Sequence, residues 1–356
     1  MHSKTFKAFL TIFFLSFFAT GFAGSKEPVE GDEPFDTNEL IFHHITDSHG
    51  FHVAGDLTVP LPVILWTENG LVTFMSSEFH HDIEGKTIVE RKGLKFVNLH
   101  EKIYQLNGGE SAVNFDAELH PINAAKPLNF SITKNVFSMF LSMIVLLLVF
   151  LAAARSYKKS DSNMPSGIGR FMEPIIVFIR DEVAIPNIGE HHYKRFMPFL
   201  LTLFFFIWLN NIFGLIPFFP FSANLSGNIA FTMTLAVITF IITTFLGNKH
   251  YWGHIFWMPG VPVYMKLFLA PIEFLGIFIK PMALMIRLFA NITAGHVIVL
   301  SLISLIFVLK SVWVAPVSVL FTVFISVIEV LVVAIQAYIF TLLSALYFGQ
   351  ALEEEH

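Results

Sequence analysis

Three ionisable side chains, Arg287, His296 and Glu329, stand in runs of sequence that otherwise belong in oil. In the stretch PMALMIRLFANITAGHVIVL, residues 281–300, Arg287 carries a charge it cannot shed, because the guanidinium pKa lies above about 12. Such a cation at bilayer depth costs at least about 3 kcal/mol. The positions one helical turn away hold Ala283, Leu284, Ala290 and Asn291 and supply no carboxylate, so the counter-charge is expected from another chain. His296 and Glu329 are of another kind. An imidazole beside a carboxylate can exchange protons near neutral pH, and a lone glutamate in hydrocarbon has little structural reason to exist. One fixed cation and one exchangeable pair suit the movement of ions, and no catalytic residue is assigned in this chain.

Each residue also has a plainer reading. Arg287 could snorkel, but Lys280, seven residues earlier, already marks the interface. His296 alone could be a hydrogen-bonded core histidine. Asn291 and Gln336 could be interhelical glue, Glu273 and Lys280 could pair with each other, and Asn210, Asn211 and Gly214 suit packing better than a pathway.

The elements that must position these groups follow from composition. Of 356 residues, 54% are hydrophobic and 14% charged, against about 25% charged in soluble domains, which makes this a membrane protein. The net charge of −5 divides into −7 over residues 1–134 and +2 over the rest, leaving no basic patch for nucleic acid. With no cysteine, disulfides, thiolate catalysis and Cys-based zinc sites are excluded. Residues 1–24 read as a signal peptide, with Lys4 and Lys7 before an apolar core and Gly21 and Ala23 spaced as at a cleavage site; the alternative is an uncleaved anchor, and both readings export residues 25 onward. An exported, His-rich extension is expected over 25–130. Its stretch EPVEGDEPFDTNE reads as disordered, and its later part as a small β domain with turns at Asn69-Gly70 and Lys92-Gly93. His43, His44, His49 and His52 lie close together without a metal-ligand spacing, so a solvated polar segment is expected and no metal or cofactor is assigned.

Residues 131–356 read as the membrane-embedded domain of an all-α polytopic protein with about five spans plus interfacial and re-entrant helices. Arg155, Lys158 and Lys159 place the end of the first span in the cytoplasm. Residues 168–195 suit an interfacial helix. Residues 265–281, broken at Pro271, suit a re-entrant one. Two long helices, about 282–310 and 315–348, finish the chain. The second would run roughly 51 Å against a hydrocarbon core near 30 Å, so it must tilt steeply. If the two form an antiparallel hairpin turning near Trp313, His296 and Glu329 stand at similar depth and Arg287 reflects onto position 338, near Gln336. Thr322, Glu329 and Gln336 recur every seven residues on one face. Asn291 shares the face of Arg287, while His296, nine residues on, points about half a turn away.

The segments RLFANITAGH, IQAYIF and WLNNIFGLIP, with PIEFLG and FMEPIIVFIRDEV, closely resemble the a subunit of the F-type ATP synthase over about residues 130–356. The resemblance implies two offset half-channels against a rotating c-subunit ring, with other membrane-sector and peripheral-stalk subunits and membrane lipids as neighbours. It implies that Arg287 faces the ring carboxylate and that Asn291 and Gln336 match the family's asparagine and glutamine. The path is expected through His296 and Glu329, with Glu273 as the candidate for the cytoplasmic exit. Many bacterial members carry Glu and His in the opposite order, so this chain has the pair exchanged, as in the mitochondrial arrangement. The implied setting is a bacterial inner membrane, N-terminus exported and C-terminus cytoplasmic. The rival reading is a stand-alone secondary transporter, which would need its own counter-carboxylate and probable internal repeats.

Overall fold

A computed structural model describes residues 46–54, 57–107, 112–115, 121–159, 166–216, 218–258, 260–309, 311 and 313–352. The expected signal peptide, the acidic stretch at 27–39, and His43 and His44 lie outside these residues. The chain forms two compact units, one mainly Ser48–Lys134 and one comprising mainly Asn135–Pro217 and Phe221–His356.

The first unit is β-rich. Strands β1 (Gly50–Ala54) and β2 (Leu57–Pro60) pair; β3 (Pro62–Thr67) lies between β4 (Gly70–Met75) and β9 (Leu128–Asn129). β5 (Val89–Arg91), β6 (Leu94–Leu99), β7 (Lys102–Leu106) and β8 (Ala124–Ala125) follow one another in a four-stranded antiparallel sheet. The Lys92-Gly93 turn forms where expected, with both residues at positive φ, as the twist of a two-residue hairpin requires. The first hairpin turns one residue earlier than expected. Thr67 pairs with Gly70 across Glu68 and Asn69, and Gly70 takes the left-handed φ of 84° that closes the loop. Val63, Leu65, Val72, Phe74, Phe79, Val89, Phe96 and Ile103 make the core. His49 departs from the solvated segment expected of it. It is buried, with Nδ1 3.8 Å from Glu101 Oε2 and its amide donating to the same oxygen.

The second unit is helical: α1 (Lys134–Lys159), α2 (Ile168–Phe178), α3 (Ile185–Ile188), α4 (Tyr193–Leu215), α5 (Ile229–Leu246), α6 (Lys249–Phe256), α7 (Val263–Val308) and α8 (Ala315–Leu352). Five of these, α1, α4, α5, α7 and α8, are long and apolar enough to cross a membrane. α2 runs into α3 through a widened π-helical turn, Ile179–Ala184. Pro186, just beyond, has no N–H to offer the Glu182 carbonyl and would crowd it, and a wider turn relieves that clash.

α7 corrects the sequence reading. The segment 265–281 is not a separate re-entrant element but the first part of one 46-residue helix that carries Pro271 and Pro281 inside it. Each proline forfeits a single backbone bond, and good helix formers, Ala270 beside Pro271 and Lys280 and Met282 beside Pro281, adjoin them. A membrane helix tolerates such a loss where neighbours satisfy the freed group. At 1.5 Å per residue α7 is roughly 69 Å long, far more than one perpendicular crossing needs.

α8 packs against α7, α4 and α3 along a stripe that includes Ser318, Thr322, Glu329, Val333, Gln336, Ala337, Phe340, Thr341, Ser344 and Phe348. Small residues on this stripe let backbones approach closely. The tightest approach is at Gly349, where an added Cβ would collide with the backbone carbonyl oxygen of Asn187 on α3. Backbone cannot swing aside as a side chain can. Gly349→Ala is therefore expected to cost about 2 kcal/mol, in the range of overpacked cores, read as a lower unfolding temperature of the detergent-solubilised protein.

Candidate functional site

α7 and α8 run antiparallel and are tied at three levels. The Ser318 hydroxyl donates to the Leu302 carbonyl. Next, His296 Nδ1 lies 3.4 Å from Glu329 Oε1. Farther along, Lys280 Nζ donates to Gln350 Oε1 at 3.0 Å and lies 5.6 Å from the centre of the Tyr347 ring. The midpoints of these pairs are residues 310, 312.5 and 315, so the helices slip slowly past each other. Interpolation puts Arg287 level with about Thr341, more than a turn from Gln336. The expected match of Arg287 with position 338, drawn from a single turning point at Trp313, is thus displaced along α8, because the reflection point drifts along the pair.

Glu329 is 5% exposed and the His296 side chain 17%. Oε1 is at ion-pair distance from the imidazole but accepts no hydrogen bond among the described residues. What lets the carboxylate into the contact is Gly295. A Cβ there would stand 2.6 Å from Glu329 Oε1 and 2.9 Å from Cδ. The sequence reading missed this glycine. Its signal was available: a glycine inside a long helix costs about 1 kcal/mol against alanine and needs a packing reason.

Arg287 faces away from this contact. Leu284, Leu288 and Ile292 form the buried stripe of α7. Arg287 and His296, nine residues apart, flank that stripe on opposite sides. Arg287 and Asn291 are exposed on this chain, beside exposed Met282 and Ile286. Among the described residues the guanidinium makes no hydrogen bond or ion pair. Thr322 and Gln336 are buried on the α8 face that carries Glu329.

Glu273 is half-buried on α7. It stands near α6, where burial first, and then the charge of Glu273, push the Tyr251 phenol above its usual range. Lys280, the partner considered for it, is taken by Gln350 and Tyr347. Lys280, Gln350, Tyr251, Tyr347, Thr239 and Thr243 line a small shared cavity. Asn210 and Asn211 are buried on α4; Asn210 Nδ2 donates to the Phe206 carbonyl, while Asn210 Oδ1 and both polar side-chain atoms of Asn211 have no hydrogen-bond partner among the described residues.

The family described as "ATP synthase A chain" matches residues 136–349. The chain belongs to this family. A second family, described only as a domain of unknown function (DUF8433), matches residues 40–130. Among curated proteins, "ATP synthase subunit a" of Chloroherpeton thalassium is 46% identical over 231 residues, which is 63% of this chain and 68% of that protein. "ATP synthase subunit a 2" of Chlorobaculum tepidum is 47% identical over 228 residues, 62% of this chain and 63% of that protein. "ATP synthase subunit a" of an Anaeromyxobacter species is 40% identical over 277 residues, 72% of this chain and 66% of that protein. The chain thus spans about two thirds of the length of the family relatives it matches.

The Gly295–Glu329 contact can be tested by a double-mutant cycle on unfolding temperature. Gly295→Ala is expected to destabilise the protein. Adding Glu329→Ala, which removes the atoms the new methyl would strike, should recover about 1 kcal/mol beyond additivity, as contacting residues do. Glu329→Gln, which keeps those atoms, should recover none.

Proposed function

We propose that residues 131–356 translocate protons in the membrane sector of an F-type ATP synthase and couple that flow to ATP synthesis. The supporting observation is the division of labour on α7. A pair of half-buried His296 and buried Glu329, 3.4 Å apart, lies on one flank, and a permanently charged Arg287 lies on the other, on an apolar surface exposed in this chain. A carboxylate-bearing ring of c subunits is the neighbour that surface suits.

In this reading a proton enters from the exported side and reaches Glu329 and His296, with Gln336 and Asn291 along the route. It passes to a ring carboxylate. The neutral acid then enters lipid far more cheaply than its anion would. After nearly a full rotation the acid gives its proton toward the cytoplasm, with Glu273 at the exit, and the resulting carboxylate pairs transiently with Arg287. The guanidinium also keeps the two half-channels apart, because a fixed cation repels a proton trying to pass between them. In this reading each of the five candidate spans among the described residues crosses once, so the start of α1 and the end of α8 lie on opposite sides, and Arg155, Lys158 and Lys159 at the end of α1 favour a cytoplasmic end of α8 in a bacterial inner membrane.

Arg287→Ala is expected to abolish proton-driven ATP synthesis in membrane vesicles while leaving assembly with the ring intact; substantial residual synthesis refutes the assignment. His296→Glu combined with Glu329→His should restore much of what either single change loses. A double variant no better than the singles would separate the two residues functionally.

A further inference from the structure

The β4-β3-β9 sheet of the first unit is apolar on both faces. Val63, Leu65, Val72 and Phe74 point into the core. By strand alternation, the opposite face carries Ile64, Trp66, Leu71, Thr73 and Met75. Trp66 sits directly opposite Leu71 on β4 and Leu128 on β9, forming one apolar row across all three strands. Phe130, two residues past Leu128 and bonded through its amide to the Ile64 carbonyl, continues the same face beside Ile64. Trp66 is 55% exposed, Leu128 65% and Phe130 63%. An antiparallel sheet with one face in water normally places polar residues there, and a contiguous exposed apolar patch marks a surface that meets something.

Two observations identify what it meets. The first is connectivity: Phe130 stands four residues before Lys134, where α1, a helix able to cross a membrane, begins. Fully extended, four residues reach only about 14 Å, so the patch is tethered close to the bilayer surface. The second is chemistry. Lys92 Nζ donates to the Leu71 carbonyl at 2.7 Å, which sets its ammonium at the edge of the row. Lys126 lies two residues before Leu128, and Lys134 opens α1; the acids near these residues in sequence are Glu68 on the hairpin turn, Glu78, which pairs with Arg91, and Glu90 on β5. Tryptophan and phenylalanine with flanking lysines suit the boundary between headgroups and acyl chains.

We propose that this sheet face rests on the membrane that α1 enters, with Trp66, Leu71, Leu128 and Phe130 at the headgroup–acyl boundary and Lys92 and Lys126 among acidic phospholipid headgroups. The proposal is independent of the ion path, since it needs only that α1 is embedded. The absence of cysteine makes single labelling sites simple. The full chain carrying L71C, L128C or, as an outward control on β5, E90C would be spin-labelled in nanodiscs of phosphatidylcholine and phosphatidylglycerol. Power saturation then compares access to oxygen, which concentrates in lipid, with access to a water-soluble nickel chelate. Labels at 71 and 128 should favour oxygen severalfold over the control, and K92E with K126E should reduce that preference. Preferential access to nickel at 71 and 128 would put the face in water. Shielding from both agents would mean that protein covers it. Either result overturns the proposal, and a preference unchanged by charge reversal overturns the headgroup contact.

Discussion

A charge in hydrocarbon needs water, a counter-charge or a means of neutralisation, and the arrangement of α7 and α8 answers that constraint in two different ways. Glu329 is a group that can be neutralised, and it is enclosed beside His296, with 5% of its surface left exposed. Arg287 cannot be neutralised, and it is left on the outside of the chain. The packing follows this division. The buried stripe of Leu284, Leu288 and Ile292 runs between the two, so the pair and the cation are kept on separate flanks of one helix.

Close approach of backbones makes the enclosure possible. Glu329 fits because residue 295 has no side chain, and α8 seats against α3 because residue 349 has none. Thr341 and Ser344 donate to carbonyls one turn back on their own helix, which lets these two polar side chains lie in the core. Thr322, on the Glu329 face, keeps a buried hydroxyl without a hydrogen-bond partner among the described residues. Lys280 is likewise occupied, by Gln350 and the Tyr347 ring, leaving Glu273 to act on Tyr251 instead.

The β unit shows the same economy of sequence used twice over. Its alternating strands fill a core on one side with Val63, Leu65, Val72 and Phe74, and show a second apolar surface on the other through Trp66, Leu71 and Leu128. A sheet of this kind owes its fold to the first face and its environment to the second.

Much of this was legible from residues alone. Sustained apolar runs specify membrane helices because only a closed hydrogen-bond ladder survives in lipid, and a cation without a nearby acid identifies Arg287 as the residue needing an explanation. The shared face of Thr322, Glu329 and Gln336 follows from their sevenfold spacing. What sequence spacing could not supply is how two helices slide past each other. A single reflection point placed Arg287 level with position 338, whereas the three observed ties shift it toward Thr341. It also could not show that Pro271 and Pro281 would sit within one continuous α7, nor that Gly295 is the space Glu329 occupies. Those outcomes are set by contacts between segments distant in the chain, and local periodicity carries no record of them.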